Sequence, residues 1–155
     1  MDRRELLGLL GAGAVSLTAL NTQAADKDAD ACCQLDKTHE DCLKACGDCA
    51  KSCDMSFHHA VMEMSGGKKD AAKVVQLLSD CASFCGLSAC MISRMSPLMV
   101  NSCNACAESC RMTLMEVEKC DSDVMKATAQ KLRACEQSCR TMVASMRANS
   151  SIKAN

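Results

Sequence analysis

The stretch CLKACGDCAKSC carries Cys42, Cys46, Cys49 and Cys53, spaced four, three and four residues apart. On an α-helix each residue turns the chain by about 100°, so these thiols fall within roughly 60° of one another. They make one stripe, about three turns long, where an amphipathic helix ordinarily presents Leu, Ile or Val. Sulfur in such a stripe can pack, form disulfides, cycle between redox states or ligate a soft metal ion. The choice depends on what the other helices bring to the same place.

Four helical segments can be read in order. The first is predicted from a Thr38/Asp41 capping box to Met64, its stripe continuing through Phe57, Val61 and Met64, and Ser65-Gly66-Gly67 ends it. The second is predicted over Lys69 to Met95, with Val74, Leu77 or Leu78, Cys81, Cys85, Ser88, Ile92 and Met95 on one face. Cys90 lies about 180° from Cys81 on an ideal helix, either on a flank or beside a local irregularity at Gly86. Ser96 and Pro97 supply an N-cap and a first helical position. The third helix then aligns Met99, Cys103, Cys106, Cys110, Leu114 and Val117, with Cys120 at its end near the edge of that face. Asp121-Ser122-Asp123 makes the next turn and cap. The fourth helix, to about Ala148, aligns Val124, Thr128, Leu132, Cys135, Cys139, Met142 and Met146.

Short connections between amphipathic helices imply an all-α fold, an antiparallel up-down-up-down four-helix bundle with a cysteine-lined core over residues 38–148. A three-helix core with a loose segment and a helix-swapped dimer are the alternatives. Residues 149–155 read as a polar, frayed tail. The 155 residues suffice for one domain, and a formal net charge of −1 gives no reason to expect nucleic acid or an anionic membrane as partner. With 15 Cys and 12 Met against two Phe, no Trp and no Tyr, the core must take its volume from sulfur-bearing side chains.

Residues 1–25 read as a cleavable export signal, cut after Ala24 or Ala25, with Arg3 and Arg4 ahead of an apolar run from Leu6 to Leu20. The run is short and rich in Gly and Ala, a poor membrane span. The arginine pair resembles a twin-arginine signal, although Asp2 stands where Ser or Thr is usual. A periplasmic location follows as an expectation, with no membrane association once the signal is removed. Residues 26–37 form an acidic lead-in holding Cys32 and Cys33.

Antiparallel alternation gathers the thiols at one end of the bundle. The start of helix one meets the end of helix two, the start of helix three and the end of helix four. Met95, Met99, Met142 and Met146 flank that end, with His39 nearby in sequence. Phe57, Val61, Val74, Leu77, Leu78, Leu114, Val117, Val124 and Leu132 are predicted to fill the other half as an aliphatic plug. Met55, Met64, Met115 and Met125 are expected as core filler, and the three histidines as surface residues.

Two cysteines at i, i+4 on one helix have nearly parallel Cβ vectors, a poor geometry for a disulfide. Inert packing needs no more than one or two thiols per helix. Structural zinc favours closed tetrahedral sets from turns and C-x2-C knuckles, and the C-x2-C-x2-C run of bacterial ferredoxins is missing. Cu(I) accepts two or three sulfurs, and thiolates and thioethers select it over hard cations. Several Cu(I) ions per chain are therefore the expected cargo, with zinc, an iron–sulfur cluster or thiol redox cycling as alternatives.

The C-x3-C-x2-C-x3-C helix, the DCASFC segment, the RMSP turn and the CNACAESC segment together resemble the four-helix-bundle copper storage proteins, over residues 35–146. What the resemblance implies is a bundle that accumulates and releases many Cu(I) ions without catalysis, and whose exported members carry a twin-arginine signal. The ligands it implies are Cys42, Cys46, Cys49, Cys53, Cys81, Cys85, Cys103, Cys106, Cys110, Cys135 and Cys139, then Cys120, with Cys90, Cys32 and Cys33 as weaker candidates. Thr128 and Leu132 stand where many family patterns have further thiols. Met95, Met99, Met142, Met146 and His39 are candidates for a loading site. A copper chaperone or transfer module is the alternative function. Copper-acceptor proteins are candidate partners, and self-association a candidate state. No nucleophile–base constellation for an enzyme stands out.

Overall fold

The computed structural model describes residues 35–68 and 71–152, with side chains described as far as residue 148. The export-signal reading, residues 26–34 of the acidic lead-in, and Cys32 and Cys33 within them lie outside the described residues, as do the first two residues of the predicted second helix. Helices α1 (Lys37–Ser65), α2 (Ala72–Ser93), α3 (Met99–Val117) and α4 (Asp123–Ile152) form the expected bundle. α1 packs on α2 and α4, and α3 packs on the same two neighbours, so the cross-section is a square with consecutive helices side by side.

The helix ends differ from expectation in instructive ways. Asp36, not the Thr38/Asp41 box, caps α1, its carboxylate accepting from the His39 backbone N–H at 3.0 Å. The α1 terminus follows the predicted Ser-Gly-Gly punctuation, with Gly67 at φ 100°, a conformation that suits glycine. α2 stops at Ser93, short of Met95, in a reversed turn: Ser96 N–H reaches Met91 O and Met95 N–H reaches Ile92 O, both at 2.9 Å. Met95 occupies the left-handed position of that turn at φ 51°, where glycine is usual. Ser96 does act as a cap, of the turn leading into α3, its Oγ accepting from Leu98 N–H at 3.2 Å. Ser122 caps α4 through Met125 N–H at 3.3 Å and Lys126 N–H at 2.9 Å. α4 runs on to Ile152, so part of the expected frayed tail is helical.

The buried stripe on α1 continues from Cys53 through Ser56 and Ala60, leaving Phe57 and Met64 exposed and Val61 half-buried. A step of three after a step of four keeps a straight 3.6-residue helix on one face; the expected step from Cys53 to Phe57 drifts toward a flank. Likewise Met125 is buried and Val124 exposed on α4. The aliphatic half is thus Ala60, Val74, Leu78, Val117, Met125, Ala129 and Leu132, with Leu77 and Leu114 at its edge. Of the expected methionine fillers Met125 alone is buried, while Met55, Met64 and Met115 are exposed. α2 is apolar enough to cross a bilayer by length and composition, because Phe84 and Leu87 are exposed on its outer side while Cys81, Cys85 and Ile92 line the core.

Candidate metal centre

Eleven cysteines are fully buried at 0 % exposure: Cys42, Cys46, Cys49, Cys53, Cys81, Cys85, Cys103, Cys106, Cys110, Cys135 and Cys139. They fall into layers because a rise of about 1.5 Å per residue carries each stripe past the same levels. In the middle layer each helix gives one thiol: Cys85 Sγ is 3.5 Å from Cys106 Sγ, which is 3.8 Å from Cys135 Sγ, itself 3.8 Å from Cys46 Sγ. One turn outward, Cys42, Cys103 and Cys139 form a group of three. One turn inward, Cys81 Sγ and Cys110 Sγ stand 3.7 Å apart, and Cys49 Sγ is 4.0 Å from Cys110 Sγ. Cys53 closes the tube with Cys49 and Cys81. The two missing thiols have identities: α2 places Ser88 in the outer layer and α4 places Leu132 in the inner one.

Below Cys53 the lining changes from sulfur to oxygen. Thr128 Oγ1 lies 2.6 Å from Ser56 Oγ and 2.8 Å from Ser52 Oγ. Neither serine was singled out from the sequence; the signal that could have found Ser56 is the 3.6-residue continuation of the stripe. On the outside, Lys131 bridges to Asp48 at 3.1 Å and Lys73 to Glu116 at 2.6 Å. They tie α4 to α1 and α2 to α3 as surface pairs that are screened by solvent.

All thirteen cysteines among the described residues are free. Sulfur atoms 3.5 to 4.0 Å apart are far beyond the ~2.05 Å of a disulfide. Hydrogen bonding splits their acidities. Contacts with Cys103, Cys139 and Cys46 hold Cys42 far below the ordinary thiol value, whereas contacts with Cys106 and Cys110, together with burial, hold Cys85 far above it. Cys81 and Cys135 follow Cys42, and Cys110 and Cys139 follow Cys85. Packed this closely and buried, the cluster cannot ionise throughout without cations to replace the protons.

At the outer end Met99 and Met142 are buried, Met146 is half-buried and Met95 is 45 % exposed on its turn. His39 departs from the surface position expected of it: it is 5 % exposed. Its Nδ1 stands 2.8 Å from Asp36 Oδ1, off hydrogen-bond alignment, and Nε2 has no hydrogen-bond partner. His58 is exposed and His59 half-buried, both beyond Cys53 on α1. Two predicted thiols stay outside the tube. Cys90 is exposed on an uninterrupted helix, so Gly86 introduces no irregularity. Cys120 lies past the end of α3, beyond the aliphatic half, where its thiol donates to Glu116 O at 3.7 Å.

Residues 34–144 match the family model of the copper storage proteins. The chain is 30 % identical to an uncharacterized cysteine-rich protein, YhjQ, of Bacillus subtilis (strain 168), over 71 % of this chain and 100 % of that one. Among solved structures it resembles Cu(I)-bound copper storage protein BsCsp3 at 30 % identity and a TM-score of 0.65, covering 69 % of this chain and 99 % of that one. It also resembles apo-Csp3 from Bacillus subtilis at 32 % identity and a TM-score of 0.59, covering 67 % of this chain and 97 % of that one. This chain belongs to the copper storage protein family.

Proposed function

We propose that this chain stores several Cu(I) ions as thiolate complexes strung along the bundle axis. The observation that carries the reading is the grouping of buried thiols into sets of three and four whose sulfurs lie within 4.8 Å of one another. Cu(I) is satisfied by two or three soft sulfurs, so each layer can hold ions with thiolates shared between them. Closed tetrahedral zinc suits the lining less well. The two four-sulfur sets, Cys46/Cys106/Cys135/Cys139 and Cys49/Cys85/Cys110/Cys135, share Cys135, and both cannot be independent four-coordinate sites.

The ligands on this reading are the eleven fully buried thiols. His39, Met99 and Met142 make the loading end, with Met146 beside them, because a neutral thioether or imidazole binds Cu(I) without the charge that would hold it fast. The chain then acts as a sink or reserve and not as a catalyst. The Arg3-Arg4 pair and the apolar run behind it support export to the periplasm. Replacing both arginines with lysine is expected to keep the protein in the cytoplasm, and unchanged export would remove that part of the reading.

Titrating the reduced protein with Cu(I) against a strong chelator tests storage. Many equivalents per chain are expected. Saturation at one or two would instead favour a transfer module that passes copper to an acceptor protein. Met99→Leu with Met146→Leu is expected to slow loading more than it lowers capacity.

A further inference from the structure

We propose that Ser88 is a positioning residue for the outermost copper layer, donating its hydroxyl to a thiolate of the Cys42/Cys103/Cys139 group and so slowing release of the ions nearest the loading end. The proposal rests on the copper-storage reading and adds a residue to it. Three of the four walls step outward from the middle layer to a thiol: Cys46 to Cys42, Cys106 to Cys103 and Cys135 to Cys139. On α2 the same step, from Cys85, arrives at Ser88. Cys85 Sγ and Cys106 Sγ are 3.5 Å apart, and α2 and α3 run in opposite directions, so Ser88 stands opposite Cys103.

The hydroxyl itself supplies the second observation. Ser88 is 0 % exposed, and its Oγ has no hydrogen-bond partner. The other buried hydroxyl residues among those described are all bonded. Ser56 pairs with Thr128, Ser102 donates to Met99 O at 3.0 Å, and Thr113 donates to Ser109 O at 2.8 Å. A helical serine can ordinarily bond the carbonyl four residues back, and Ser88 does not. In the metal-free tube the outer sulfurs contact one another, Cys42 Sγ standing 3.8 Å from Cys139 Sγ, and Ser88 Oγ bonds none of them. A copper-bound thiolate is anionic and accepts a strong, charge-assisted bond. The donor is therefore held ready for the loaded state.

Ser88→Ala and Ser88→Cys, each in the full bundle, test this. Loaded wild type and S88A are compared for the rate at which a chelator removes the first copper, and metal-free samples for melting temperature. Loss of a bond to a charged sulfur is expected to speed release of the most labile ions by about tenfold, with the metal-free melting temperature unchanged or raised. S88C should take up more copper than wild type, because a thiol there completes the outer layer. Unchanged release from S88A with a lowered metal-free melting temperature would overturn the proposal, since it places the hydroxyl's partner in the metal-free protein. S88C with no added capacity would also overturn it, by removing Ser88 from the sulfur layer. If wild type itself loads no more than one or two ions, the storage reading fails first, a result distinct from either.

Discussion

Ser56 Oγ and Thr128 Oγ1 meet at 2.6 Å between α1 and α4, in the turn below Cys53. This bond marks where a tube lined with sulfur gives way to an aliphatic plug. It also keeps two buried hydroxyls satisfied, and gives the bundle a defined floor.

Thr128→Val should therefore cost stability without costing copper. The change preserves shape but leaves the Ser56 hydroxyl buried and deprived of the bond, a loss of about 1–3 kcal/mol. Denaturant unfolding of the metal-free protein measures it, and Cu(I) titration should show wild-type capacity.

Leu132→Cys should do the reverse. Leu132 is fully buried where α4 faces the inner layer of Cys49, Cys81 and Cys110. A thiol there gives that layer its fourth wall, so capacity should rise above wild type. The smaller side chain leaves space behind, and the metal-free form should lose somewhat less than the ~2–5 kcal/mol typical of Leu→Ala.

Much of this was legible in the sequence, and the residues explain why. The 4-3-4 spacing of Cys42 to Cys53 fixes a helix face without reference to anything else, and the turns at Gly66-Gly67, Ser96-Pro97 and Ser122 fix the order of the walls. Ser56 and Ala60 take the inward places expected of Phe57 and Val61, and Met125, expected as filler, takes the place expected of Val124. Hydrophobicity alone points one position to the side, whereas helical phase decides which side chain faces inward. Cys120, read at the end of the third stripe, lies just past the last residue of α3 and apart from the buried thiols. The burial of His39 was not readable, since it depends on how the first turn of α1 is capped.

Asp36→Ala should fray the start of α1 and loosen the loading end. Loss of an N-cap costs about 0.5–2 kcal/mol, read by thermal unfolding. Contact with the His39 side chain, then the His39 backbone N–H, lowers the Asp36 carboxyl below its ordinary 3.8. The cap's contribution is thus fully present above that value and is lost as pH falls through the lower, folded value. Wild type and D36A should converge in stability in strong acid and differ at neutral pH.

Copper uptake should release protons. Cys85, Cys110 and Cys139 are held well above the ordinary thiol value by their sulfur neighbours and by burial, so they are protonated at neutral pH in the metal-free form. Cu(I) must displace those protons, and its apparent affinity should fall as pH is lowered. Acidification of a weakly buffered solution on Cu(I) addition checks this directly.

Met95→Gly should stabilise the metal-free protein by relieving the left-handed conformation at φ 51°, a strain of about 1–3 kcal/mol for a non-glycine residue. Thermal unfolding reads the gain. Loading rates should change little, since Met95 is 45 % exposed on the turn outside the tube.

The most direct measurement is a crystal structure of the copper-loaded protein with anomalous scattering recorded at the copper edge. The account predicts a column of copper sites inside the bundle, from the Cys42/Cys103/Cys139 layer down to Cys53 and none beyond the Ser56–Thr128 bond. Copper confined to the outer histidine and methionines, or a lone site with the inner thiols unoccupied, would contradict it.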